Sequence, residues 1–257
     1  MLKTNTLKEK LADGQAVLGT WAVIPSPIVA DVICSTGIDF LVIDSEHGPI
    51  GFETAQNMVI TCESRGVTPM LRVGGVIESD ILKALDIGAH GIHVPNVSNA
   101  AQVEQVIQHC KYPPIGERGF SPFTRAGNYS RFTGAELTKS ANENVLTVVH
   151  IEGKDAYEEL DSILDITPLD IVFIGLFDLS KALGIPGEID DPKVISYLEN
   201  AVSKIRAANK PAGTIAVSAE QTRRDVDMGV QYITFMVDCD MLRASYRQIA
   251  KSFSVFR

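Results

Sequence analysis

Eight short apolar, β-branched-rich runs recur along the chain, at roughly 18–24, 40–46, 68–73, 91–97, 145–152, 170–175, 211–217 and 232–238. Strands this apolar are covered on both faces, and single helices between them imply parallel pairing through right-handed crossovers. The intervening segments carry helix punctuation. SPIVADVICSTG opens with Ser26 as an N-cap and Pro27 at the first helical position, and it ends at Gly37. ESDILKALDIGA places Ile81, Leu82 and Leu85 at helical spacing and closes at Gly88. SNAAQVEQVIQHC, DPKVISYLENAVSKIRAANK and SAEQTRRDVDMG read the same way. Eight such units in 257 residues match an α/β (β/α)₈ TIM barrel in count and length. A doubly wound open sheet is the rival, but it carries a Gly-rich fingerprint after its first strand. Here that strand runs into VIPSPIV, with neither GxGxxG nor GxxxxGK[ST]. The expectation is one barrel domain over residues 1–257, with its active site at the C-terminal ends of the strands.

Those ends are where the chemistry-bearing residues fall. FLVIDSEHGP turns from a buried run into Asp44, Glu46 and His47; PMLRVGG ends in Arg72; VVHIEG carries His150 and Glu152; VFIGLFD leads to Asp178; ITFMVD ends in Asp238. In a strand His150 and Glu152 share a face. Glu152 and Asp178 come from neighbouring strand ends, and two close carboxylates repel unless a cation or proton lies between them. A hard divalent cation such as Mg²⁺ or Mn²⁺ answers that need; ordinary helix capping by the same two acids is the alternative. His47 beside acids suits general acid or base work, although an isolated DSEH would be a solvated turn. Arg72 is costly to bury without an anion, either a substrate oxygen or its neighbours Asp44 and Glu46. His90 and His109 fall at helix ends, and His93 reads as a buried, hydrogen-bonded strand residue.

The net charge of −9 argues against a nucleic-acid or anionic-membrane partner. The N-terminal MLKTNTLKEKLADGQ lacks the apolar core of a signal peptide, and no run is long enough to span a bilayer. Cys34, Cys62, Cys110 and Cys239 show no CxxC spacing, as expected for free thiols in a cytoplasmic protein. Lys154 is the lone lysine near a strand end and Gly153 intervenes, so Schiff-base chemistry is not expected. AVSAE and VDCD offer no phosphate cradle. The long irregular stretch at 112–131 carries Arg118, Arg125 and Arg131 with Phe120, Phe123 and Tyr129. Loops this long inside a compact domain are usually functional or mobile.

Seven motifs in order resemble the HpcH/HpaI family of metal-dependent pyruvate aldolases, which act on 4-hydroxy-2-oxo acids. They are IDSEHGP (43–49), LRV (71–73), LDIGAHGIHVP (85–95), YPPIGERG (112–119), IEGK (151–154), FIGLFDLS (173–180) and VDCDML (237–242). The resemblance spans nearly the whole chain and implies reversible cleavage of a 2-keto-3-deoxy sugar acid type substrate to pyruvate and an aldehyde. It implies that Glu152 and Asp178 bind the cation (Mg²⁺ or Mn²⁺, with Co²⁺ a further option). Arg72 would hold the pyruvate oxygen, and His47 would be the acid/base, oriented by Asp86. Amides of Leu176, Phe177 and Asp178 would meet the pyruvate carboxylate. Asp44 and Glu46 would support the site from behind. The 112–131 loop would cover the aldehyde half and select polar or anionic aldehydes, with simple anchoring of the loop by Arg118 as the alternative. It also implies a hexamer, a trimer of dimers that exchange their C-terminal helix; the tail from Met241 to Phe256 is apolar enough to need such a partner. Two departures bear on the substrate: His150 stands where relatives often carry Gln, and Leu176 and Phe177 stand where they carry small residues. The alternatives are a CoA-thioester lyase of the citrate lyase beta type, a decarboxylating or enolate-trapping variant, and a non-catalytic relative that binds metal and oxoacid.

Overall fold

The computed structural model of the protein describes residues 5–256. Eight parallel strands close into a barrel in sequence order: β1 (Val17–Ala22), β2 (Phe40–Asp44), β3 (Thr68–Arg72), β4 (Gly91–Val94), β5 (Leu146–Ile151), β6 (Ile171–Ile174), β7 (Ala212–Ala216) and β8 (Tyr232–Val237). Each coincides with one of the eight apolar runs. The β2, β3, β4, β5, β6 and β7 strands are buried along almost their whole length, which is why they read as unbroken apolar stretches. No helix among the described residues is long and apolar enough to cross a membrane.

The expected helices form as α2 (Pro27–Cys34), α4 (Glu78–Asp86), α5 (Ala100–Cys110), α10 (Pro192–Ala207) and α11 (Ala219–Met228). Ser26 caps α2 by accepting from the Val29 amide at 3.3 Å. Further helices are α1 (Thr6–Ala12), α3 (Phe52–Ser64), α6 (Gly134–Asn144), α7 (Lys154–Glu158), α8 (Leu160–Leu164), α9 (Leu176–Ala182) and α12 (Asp238–Phe253). The α3 helix buries Ala55, Met58, Val59 and Cys62, a spacing of i, i+3, i+4, i+7 diluted by polar neighbours. The α6 helix buries only Leu137, and its signal is instead the Thr133/Glu136 capping box.

Near the start of the strands, the Phe40 ring stacks on Tyr232 at 4.1 Å. A Cβ on Gly19 would collide with that ring, so glycine is required there. The α12 helix stands off the barrel. Only Asp238 is buried along it, while Met241, Leu242, Tyr246, Ile249 and Phe253 are exposed. Asp238, expected on the reactive rim, instead accepts from the amides of Val23 and Ile24 at 3.1 and 3.0 Å and serves the backbone.

Candidate active site

The register of the barrel pairs Asp44 with Arg72 on adjacent strand ends. Arg72 Nε and Nη2 donate to the two carboxylate oxygens of Asp44 at 2.8 and 2.5 Å, a bidentate fork, and Nη1 lies 3.1 Å from Glu46 Oε2. Its guanidinium also sits 4.3 Å above the Trp21 ring. Asp44 Oδ1 additionally accepts from the amides of Glu46 and His47, which shapes the turn that carries His47 to the exposed rim. The neighbouring acids therefore do pair with Arg72, and the pairing holds its side chain at the cavity. Burial pushes Glu46 above the usual carboxylate range against the pull of Arg72 and His47.

Across the mouth, Glu152 follows β5 and is buried. Its Oε1 accepts from the Asn96 amide at 2.7 Å, and its Oε2 lies 3.7 Å from His150 Nδ1. Burial acts to raise Glu152, but His150, the Asn96 amide and Arg72 outweigh it and hold the carboxyl below its ordinary value. Asp178 sits in the first turn of α9, partly exposed, with Lys181 at 3.2 Å. Neither acid caps a helix: the N-caps of α7 and α9 are Gly153 and Gly175, without side-chain cap bonds. Gly175 has a steric reason to be glycine, because a Cβ there would lie 2.6 Å from Glu152 Oε2.

Asp44, His47, Arg72, His150, Glu152, Leu176, Phe177 and Asp178 all line one cavity of about 260 Å³ at the C-terminal ends of the strands. Among the described residues there is no cluster of three or more His, Cys, Asp or Glu able to hold a metal ion. The donor set is two carboxylates beside open space, which fits a hard divalent cation that keeps several positions for water or substrate oxygen. Trp21 and Asn96 are functional neighbours that sequence reasoning missed. Asn96 adopts a left-handed φ of 56°, which Asn tolerates, so that its amide meets Glu152 and its Nδ2 donates to Glu46 at 3.4 Å. The only sequence signal was an Asn directly after VP.

Two expected site elements pair with residues away from this cavity. Asp86 lies at the far end of α4, beside the start of β4, and accepts from Arg118 at 2.8 Å. It does not line the cavity that holds His47, because α4 has run back from the mouth to the opposite face. Burial pushes Asp86 upward, partly offset by Arg118. The 112–131 loop follows α5 and is tied down at that same face. Arg125 pairs with Glu63, the Ala126 amide donates to the backbone carbonyl of Asp86 at 3.1 Å, and Arg118 stacks 4.7 Å over Tyr112. Arg118 does anchor the loop, and the loop does not cover its own chain's cavity.

A profile described as HpcH/HpaI aldolase/citrate lyase matches residues 18–242. The 2-keto-3-deoxy-L-rhamnonate aldolase of Escherichia coli O17:K52:H18 (strain UMN026 / ExPEC) is 33% identical over 238 residues, covering 92% of this chain and 88% of that protein. Among solved structures, the citrate synthase SbnG is similar with a TM-score of 0.87 at 30% identity, covering 99% of this chain and 97% of that one. The HpcH/HpaI aldolase from Desulfitobacterium hafniense DCB-2 gives a TM-score of 0.91 at 28% identity, covering 96% of each chain. On this match, the chain belongs to the HpcH/HpaI aldolase/citrate lyase family and is a lyase of the class II pyruvate aldolase type.

Proposed function

We propose that the protein reversibly cleaves a 4-hydroxy-2-oxo acid of the 2-keto-3-deoxy sugar acid type into pyruvate and an aldehyde, with Glu152 and Asp178 holding a divalent cation. The observation that carries this reading is that Arg72, Glu152, Asp178 and His47 line one cavity at the C-terminal ends of the strands. When bound, Mg²⁺, Mn²⁺ or Co²⁺ supplies Lewis-acid polarisation of the 2-oxo group. His47 takes the proton of the 4-hydroxyl. As the C3–C4 bond breaks, its electron pair moves toward the C2 oxygen, where the guanidinium of Arg72, held by Asp44, meets the developing charge. The amides of the first turn of α9 receive the pyruvate carboxylate. The Leu176 and Phe177 side chains also line the cavity and narrow it. The enolate is then protonated at C3.

Asp86 can orient His47 only from another copy of the chain. The open apolar face of α12, with exposed Leu18, Ile28 and Val32 beside it, supports the exchanged-helix dimer and the hexamer. If the site is shared, His47→Ala and Asp86→Ala proteins are each inactive, and co-refolded mixtures regain activity in the oligomers that combine one intact His47 with one intact Asp86. Mixtures that stay inactive, with hetero-oligomers verified by mass spectrometry, would rule out the shared site.

The decisive experiment is deuterium exchange into the methyl group of pyruvate. Exchange should require added Mg²⁺ or Mn²⁺ and stop on chelation. Exchange that survives chelation, or none under any metal, would defeat the proposal. A second reading draws on the citrate lyase part of the family description: a lyase of the citrate lyase beta type acting on a CoA thioester in the same cavity. A CoA-thioester binding measurement separates the two.

A further inference from the structure

The barrel interior holds a polar file that the proposed reaction does not use. His93 on β4 and Tyr232 on β8 are 0% exposed, and His150 on β5 is 1% exposed. Tyr232 Oη lies 2.8 Å from His93 Nε2, and His93 Nδ1 lies 2.9 Å from His150 Nε2. His150 Nδ1 then faces Glu152 Oε2 at 3.7 Å, a contact longer than a hydrogen bond. Aromatic rings enclose the file: Trp21 stands edge-on to His93 at 5.3 Å, Phe173 covers His150 at 4.8 Å, and Phe40 covers Tyr232. Barrels of this kind ordinarily fill their interior with branched apolar side chains. Three buried polar groups are tolerable there only if each is paired.

Proton counting gives the file a direction. The buried Tyr232 hydroxyl has to place its proton on a partner, and its hydrogen bond is to His93 Nε2, which therefore accepts. With one ring proton, His93 carries it on Nδ1 and donates to His150 Nε2. His150, accepting at Nε2, carries its own proton on Nδ1, the side that faces Glu152 Oε2. Burial, helped by His150 and Arg72, pushes His93 well below the ordinary imidazole range and keeps it neutral. Burial raises Tyr232 well above the usual phenol, so its hydroxyl stays a donor.

We propose that Tyr232 and His93 are positioning residues for the active site, which lock His150 in its Nδ1-protonated tautomer so that it steadies the Glu152 carboxylate at the cation position. The inference rests on the reading of Glu152 as a cation ligand. Groups that orient a metal ligand from behind typically change metal affinity by about 10–100-fold when removed.

The test combines long-range ¹H–¹⁵N correlation spectra of histidine-labelled protein with Mn²⁺ titration by electron paramagnetic resonance. Thermal melting serves as the folding control. Tyr232→Phe keeps the stack on Phe40 but removes the donor. It should mix the His93 and His150 tautomers and weaken Mn²⁺ binding by about tenfold. His150→Leu should weaken binding at least as much. His150→Gln should hold it near the unaltered level, because its amide donates toward Glu152 and accepts from His93. Unchanged tautomers and Mn²⁺ affinity in a folded Tyr232→Phe protein would overturn the proposal, as would a doubly protonated His150 in the unaltered protein. If the unaltered protein binds no Mn²⁺, the cation reading fails on its own. The tautomers of Tyr232→Phe then decide whether the file controls His150.

Discussion

Replacing Glu152 with glutamine is expected to lower cation-dependent deuterium exchange into pyruvate by about 10³-fold or more, with little change in stability. Glutamine keeps the length of the side chain and can still accept from the Asn96 amide, so the packing around β5 survives. What disappears is one of the two negative charges that would hold the cation. Lewis-acid stabilisation contributes several kcal/mol, which sets the size of the loss. His150, the Asn96 amide and Arg72 more than offset the cost of burying the charge, so melting should stay level or fall slightly. Gly175→Ala offers an independent route to the same site. Its Cβ would stand 2.6 Å from Glu152 Oε2, so the carboxylate must shift while its charge remains. Exchange and Mn²⁺ affinity should both fall in Gly175→Ala. Full exchange activity in Glu152→Gln at saturating metal would remove Glu152 from the mechanism.

Arg72→Ala should cost both activity and stability. Loss of a donor to a developing oxyanion lowers rate by roughly 10²–10³-fold. The guanidinium is also the counter-charge of Asp44, which is 1% exposed, and of Glu46. Removing one partner of a buried pair leaves an uncompensated charge, at a cost of about 3 kcal/mol. In a chain of this size that is roughly a 10 °C fall in Tm. Arg72→Met combined with Asp44→Asn removes both charges together and should recover much of the stability while leaving activity lost. Comparing the two proteins by calorimetry and deuterium exchange separates the structural role of the arginine from its chemical one. An Arg72→Ala protein that melts like the unaltered one would show that the fork with Asp44 contributes nothing to stability.

The barrel was legible because its signals are local. An apolar run marks a covered strand, and Ser-Pro or a trailing glycine marks a helix end, without reference to any distant residue. The ionisable strand ends were legible for the same reason: Asp44, Arg72, Glu152 and Asp178 each interrupt or follow an apolar stretch. Helix α3 escaped notice because its buried stripe is diluted by polar residues. The pairing of Asp86 with Arg118 and the contacts of the 112–131 loop were not legible because motifs carry no information about which face of the barrel a helix returns to. His93 was rightly read as buried and hydrogen-bonded, but its partners lie 57 and 139 positions away and cannot be named from the strand alone.

The amino-acid order by itself determined that this chain forms eight parallel strands with helices between them and charged groups at the strand ends. Periodicity and chain connectivity are sufficient for that. Only the closed barrel decided which charges meet. Strand register set Arg72 against Asp44, and Gly175 left space for the Glu152 carboxylate. The return of α4 carried Asp86 to Arg118 and away from His47. These partnerships depend on distances of a few ångströms between residues far apart in sequence, and such distances exist only once the sheet has closed.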